Sequence, residues 1–139
     1  MKLKKAIVLG SSKGIGKAIA DQLSGLNLDV VTVSSKTLDT SNLSQVKSFI
    51  KKHKNTDILV LNTGGPPPID FKNITEKDWL KYHNQLFLSF CLILQKMIVN
   101  KGGYIFLITS FNIKEPDSKL VLSNSYRVAF TSIFKTLSL

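Results

Sequence analysis

The chain has 139 residues, of which 43% are hydrophobic and 20% charged, with four prolines. This is enough apolar material for one domain with a core, and it excludes both general disorder and a separate substrate lobe. Lysine and arginine number 19 against nine acidic residues, a formal charge of +10, and Arg127 is the one cation that is not a lysine.

Such a balance favours anionic partners, but most of it reads as solvated surface. The clusters Lys2, Lys4, Lys5 and Lys51, Lys52, Lys54 are short and are not interleaved with aromatic residues, so nucleic acid is not the expected partner despite the +10 charge. The single cysteine, Cys91, lies within the apolar run from Leu86 to Val99. One cysteine builds no intramolecular disulfide or zinc cluster, and a small core residue in a reducing cytoplasm is the expectation. At the amino terminus the apolar run Ala6 to Leu9 is too short for a signal peptide. The run ending at Val99 is interrupted by Gln95 and Lys96 and falls short of the ~20 residues of a membrane span. A cytoplasmic protein without membrane contact is expected.

In chain order, Ala6-Ile7-Val8-Leu9 is a continuous apolar run, as in a strand covered on both faces. A glycine loop follows, and then Ile15, Ala18, Ile19 and Leu23 at helical spacing up to Gly25. Val30 to Val33 is a second, β-branched strand. Between Ser34 and Thr40 there is no room for a helix, so a crossover, and with it part or all of a strand, is shortened there. The next helix begins near Ser41 and carries Leu43, Val46, Phe49 and Ile50 on one face.

Ile58 to Leu61 reads as the fourth strand, ended by Asn62-Thr63-Gly64-Gly65-Pro66-Pro67-Pro68. Three prolines in a row also suit a polyproline ligand, but the glycines before them mark a rigid loop at a strand end. Thr75 followed by Asp78 resembles a capping box, opening a helix expected to run to about Asn100. Tyr104 to Ile108 is the fifth strand, and a last helix starts near Leu122 and is cut off at Leu139. Strands alternating with helices predict a parallel α/β sheet in a single domain over 1–139.

The segment Gly10-Ser11-Ser12-Lys13-Gly14-Ile15-Gly16 lies between a buried strand and an amphipathic helix. In that setting bare backbone turns tightly and approaches a pyrophosphate, while free amides and the helix dipole favour its charge. The spacing of Gly10, Gly14 and Gly16 resembles the loop of the short-chain dehydrogenase/reductase family. Asn62-Thr63-Gly64-Gly65 resembles the turn after that family's fourth strand, Asp39 its adenine-contacting acid, and Ser110 its catalytic serine. The resemblance implies a Rossmann-type doubly wound parallel sheet of about five strands, without the family's last two, and a partial dinucleotide-binding domain.

It further implies an oxidoreductase acting on a carbonyl or alcohol, with Gly10, Ser11, Ser12, Lys13, Gly14, Ile15, Gly16, Ser34, Lys36, Asp39, Asn62, Thr63 and Gly64 around the cofactor. An NAD site usually presents an acid at the end of the second strand. This chain has Ser34, Ser35 and Lys36 there and Lys13 in the loop, which favours NADP(H) over NAD(H).

The family's proton-donating tyrosine and its lysine partner, carried from Ser110 at the family's interval, fall on Ser123 and Arg127. Ser110, Ser123 and Arg127 are therefore the candidate catalytic set. A serine hydroxyl is a far weaker acid than a phenol and is no direct replacement. The place of the family's helix asparagine falls near Leu86, two residues beyond Asn84. Asn-Thr-Gly-Gly-Pro-Pro with Leu120-Val121-Leu122-Ser123-Asn124 and Arg127 resembles a divergent 3-oxoacyl-carrier-protein-reductase-like subgroup, which also lacks the standard set. Family members continue into two further strands and a substrate loop. A chain ending earlier is expected to leave its last strand as an edge and to expose apolar helix faces that pack in homo-oligomers. The alternative is a dinucleotide-binding module or gene fragment without catalysis, and the residues leave the substrate open.

Overall fold

The computed structural model describes residues 2–138, so the expected end of the last helix, Leu139, lies outside the described residues. The elements are β1 (Lys5–Leu9), α1 (Gly14–Gly25), β2 (Asp29–Val33), α2 (Leu43–Lys52), β3 (Asn55–Leu61), α3 (Glu76–His83), α4 (Ser89–Lys96), β4 (Ile98–Leu107) and α5 (Val121–Leu137). A π-helical turn, Asn84–Leu88, joins α3 to α4.

All strand pairs are parallel, in the order β2-β1-β3-β4. The chain thus moves one way from β1 to β2 and the other way from β2 across to β3 and β4. Right-handed crossovers made in opposite directions place their helices on opposite faces. Accordingly α1 covers Ala6, Val8, Ile58 and Val60, while Ile7, Leu9, Leu59 and Leu61 meet the other layer through Val46 of α2, Phe90 and Ile93 of α4 and Phe130 of α5. The four side chains of Ala6 to Leu9 are at most 1% exposed, as a strand sandwiched between helices requires.

The sheet has four strands among the described residues and not five. After β2 the backbone closes a turn in which Thr37 Oγ1 donates to the Ser34 carbonyl and accepts from the Ser34 amide, both at 3.0 Å. The chain then passes through Leu38 and Thr40, both buried, straight to Asn42, whose side chain accepts from the amides of Ser44 and Gln45 and starts α2. The nine residues from Ser34 to Asn42 hold this turn and the helix entry, which leaves none for a strand, and β2 is therefore an edge.

Two further expectations change. The helix from Thr75 does not reach Asn100: it ends at Lys96, and β4 begins at Ile98 with an irregularity in its pairing with β3 between Thr56 and Ile58. The inward face of α1 is made by Gly16 and Ala20, flanked by Ile19 and Leu23, whereas Ile15 is 64% exposed. Small residues one turn apart let the helix lie close on the sheet, a requirement that outweighs the apolar periodicity. The Thr75 capping box is present with both reciprocal hydrogen bonds. Cys91 packs against the core formed by α2, α4, α5 and the sheet, and burial raises its thiol pKa.

Candidate functional site

In an open parallel sheet the strand order reverses between two neighbours, and the diverging crossovers leave a crevice at their carboxyl ends. Here those neighbours are β1 and β3. A cavity of about 490 Å³ lies there, walled by the loop after β1, the turn after β2 and the turn after β3.

Its lining includes Gly10, Ser12, Lys13, Gly14, Ile15, Ser34, Asp39, Asn62, Thr63 and Gly64. The backbone explains why the loop is glycine-rich. Gly10 has φ +62° and Gly14 φ +58°, the left-handed region that side chains disfavour. Gly16 has ordinary φ, but a Cβ there would collide with the Gly10 carbonyl and would stand 2.6 Å from the Asn62 amide. Asn62 Nδ2 in turn donates to the Gly10 carbonyl at 3.1 Å. The first amides of α1 carry no side-chain cap and its first turn no acid, so their positive end is directed at the cavity without a protein anion. Bare backbone, uncapped amides and no acid in that turn fit the phosphates of a dinucleotide.

Several expected cofactor residues stand behind this wall instead of in it. Ser11 is buried, its amide and hydroxyl both donating to the Val33 carbonyl, at 2.9 and 3.2 Å. Gly16 acts through its packing against Gly10. Lys36 is exposed within the Ser34–Thr37 turn and is not part of the lining. Asp39 lines the cavity, and its Oδ1 accepts from the amide and hydroxyl of Ser41, at 2.9 and 2.7 Å.

Gln85 was not legible as a site residue. Its Nε2 donates to the Gly64 carbonyl at 2.8 Å, holding the turn after β3, and its side chain lines the cavity. The π-helical turn rotates the helix phase at this point. It points Gln85 to the site, buries Leu86 in a cluster with Tyr82 and Leu122, and leaves the Asn84 amide on the Ser41 carbonyl at 3.4 Å. Spacing counted on an unbroken helix passes over this residue.

The second cluster lies where β3, β4 and the start of α5 meet. Arg127 Nε donates to Ser123 Oγ at 3.2 Å, Nη2 to the Thr63 carbonyl at 3.2 Å and Nη1 to the Ile108 carbonyl at 3.5 Å. The guanidinium thus ties α5 to the ends of both strands, and burial lowers its pKa while leaving it cationic. Ser123 is buried beside it. Ser110, two residues past Ile108, is turned locally: its Oγ accepts from the Asn112 amide at 3.2 Å and caps the short turn Phe111–Ile113.

The three tyrosines are engaged elsewhere. Tyr126 donates to the Trp79 carbonyl at 3.1 Å and packs edge-on to Trp79 and His83. Tyr82 is in the buried cluster, and Tyr104 stacks on Phe106 along β4.

Comparison with protein-family models and with curated proteins gives no match. Solved structures do match. A presumed betaketoacyl-ACP reductase superposes with TM-score 0.87 at 18% identity, over 99% of this chain and 67% of that one. A small-chain dehydrogenase in complex with NADPH gives 0.84 at 20% identity, over 99% and 64%. The aldohexose dehydrogenase of Thermoplasma acidophilum gives 0.83 at 20%, over 98% and 60%. The present chain therefore spans between 60% and 67% of the length of these three proteins. The architecture belongs to the α/β folds with a crevice at a parallel-sheet reversal. Within that class it is the fold of the short-chain dehydrogenases and reductases. No helix among the described residues is long and apolar enough to cross a membrane.

Proposed function

We propose that the chain is a member of the short-chain dehydrogenase/reductase family and forms its cofactor-binding portion, taking NADP(H) in oxidoreduction of a carbonyl or alcohol. The observation that carries this reading is the cavity at the β1/β3 reversal, walled by Gly10, Gly14 and Asn62 and faced by the uncapped amides of α1.

In this reading the α1 amides and Lys13 hold the pyrophosphate, Asp39 contacts the adenine, and Ser34 and Lys36 face the ribose, where a 2′-phosphate meets lysine and not an acid. The bound dinucleotide supplies or accepts hydride. Asn62 and Gln85 fix the turn bearing Thr63 and Gly64, which would hold the cofactor when it is bound. Ser110 polarises the substrate oxygen, and Ser123 with Arg127 occupies the place of the usual tyrosine and lysine. Exposed Leu80 on α3 and Val128 on α5 supply apolar surface for a homo-oligomer.

A second reading, dinucleotide binding without catalysis, is favoured by one observation: the phenol nearest to Ser123 in sequence, Tyr126, is directed to the Trp79 carbonyl. Titration of the purified chain with NADPH and NADH, followed by nicotinamide fluorescence and thermal shift, tests the common part of both. Saturable binding with NADPH favoured is the expected result, and no saturable shift with either nucleotide overturns it. In a protein that binds, carbonyl-dependent NADPH oxidation separates the two readings.

A further inference from the structure

We propose that Arg127 and Ser123 form an anion subsite that receives a carboxylate of the substrate, so that the substrate is an oxo or hydroxy acid and not a neutral carbonyl compound. The proposal rests on the oxidoreductase reading above and adds a substrate class to it.

The guanidinium sits between α5 and the ends of β3 and β4, yet its three acceptors are neutral: one hydroxyl and two carbonyls. Among the described residues the ion pair present is Lys17 with Asp21, and no carboxylate approaches Arg127. A charge withdrawn from water without a counter-ion is costly, and a planar guanidinium suits a carboxylate in particular. Three of its five N–H groups are engaged, leaving one on Nη1 and one on Nη2. Ser123 Oγ accepts from Nε and keeps its own proton available to donate.

Both groups face the same bare stretch of backbone. The position that a Cβ would take at Gly65 is 3.7 Å from Arg127 Nη2 and 3.7 Å from Ser123 Oγ, with nothing nearer. Gly65 follows Thr63 and Gly64, which line the cofactor cavity, so an anion held by these two donors beside Gly65 adjoins the proposed site of hydride transfer. A methyl group at residue 65 would make ordinary contacts with both donors and cover their approach without straining the fold.

The test uses trifluoroacetate as probe, followed by ¹⁹F line broadening at constant ionic strength, on the full chain in the presence and absence of NADPH. The expected result is broadening that saturates and that is reduced about tenfold or more in Arg127→Gln and in Gly65→Ala. It persists in Lys114→Gln, a control on an exposed lysine. Equal broadening in all variants would assign the effect to the general positive surface and overturn the proposal. Arg127→Gln also removes the tie between α5 and the strands, so Gly65→Ala decides if that variant fails to fold. Loss of NADPH affinity in Gly65→Ala would assign the donors to the cofactor and overturn the substrate assignment. Failure of the wild type to bind NADPH, with trifluoroacetate still bound at Arg127, would instead overturn the cofactor reading and leave an anion site standing.

Discussion

The side-chain amide of Asn62 donates to the carbonyl oxygen of Gly10 at 3.1 Å and so ties the end of β3 to the loop after β1. Both residues line the crevice, and this bond joins two of its walls. Asn62→Ala removes a partner from a partly buried carbonyl and is expected to cost about 1 kcal/mol, with weaker NADPH binding. Chemical denaturation and fluorescence titration check the two effects separately. Unchanged nucleotide affinity would show that the bond serves the fold alone.

Gly16→Ala is expected to be worse. Its Cβ would meet the Gly10 carbonyl and the Asn62 amide, and neither is the free end of a flexible chain. Overpacking of this kind costs about 1–3 kcal/mol, and here it pushes α1 away from the cavity as well. Loss of NADPH binding together with a lower midpoint of unfolding is the expected outcome.

Lys13 stands at the start of α1 and lines the cavity, whereas Lys36 is exposed beside it. Lys13→Gln should weaken NADPH and NADH alike if the ammonium meets the pyrophosphate. Lys36→Gln should weaken NADPH alone, by about threefold to tenfold, if it meets the 2′-phosphate. Titrations of both variants with both nucleotides separate the two roles.

Phe130 joins α5 to the sheet and to Phe90, with ring centres 5.2 Å apart. It is 1% exposed, so Phe130→Ala should cost about 3–5 kcal/mol, measured by denaturant unfolding. Thr75→Ala, which breaks the capping box of α3, should cost only about 1 kcal/mol. A reversed order would mean that α5 contributes little to the stability of the isolated chain.

Asp57 at the start of β3 accepts from Asn100 Nδ2 at 2.7 Å and from the amides of Lys4 and Lys5 at 2.8 and 2.9 Å. These hydrogen bonds, that of Asn100 foremost, lower its carboxyl pKa in the folded chain. A lowered folded value means stability that is complete above the ordinary carboxylate range and is lost as pH falls through the folded pKa. The difference in melting temperature between wild type and Asp57→Asn should therefore be largest near neutral pH and shrink under acid. A difference independent of pH would place the effect in packing and not in the charge.

How much of this was present in the sequence depends on the range of the interaction concerned. Continuous apolar runs at β1 and β3, the helical spacing of α2, the Thr75–Asp78 box and the glycine loop are local patterns. Each follows from the conformational preferences of a few adjacent residues, and together they were enough to specify an α/β chain with a glycine-rich loop at a strand end. That Ser123 and Arg127 share one face of the last helix was equally legible, since a spacing of four residues needs only counting.

Other features depended on residues far apart in the chain. The sheet has four strands among the described residues, and not the five that the resemblance implies, because Ser34, Thr37 and Leu38 close a turn into the entry of α2. α1 presents Gly16 and Ala20, and not Ile15, because its distance from the sheet is set by Gly10 and Asn62. Gln85 reaches Gly64 only because a π-helical turn shifts the helix phase. Arg127 is a tie between three elements because Thr63, Ile108 and Ser123, scattered over 61 positions, come together around one guanidinium. Local sequence determines which elements form, since propensity and periodicity act over one or two turns. Tertiary packing decides which face of each element is buried and which polar groups meet, because those contacts exist only once the sheet has brought its strand ends together.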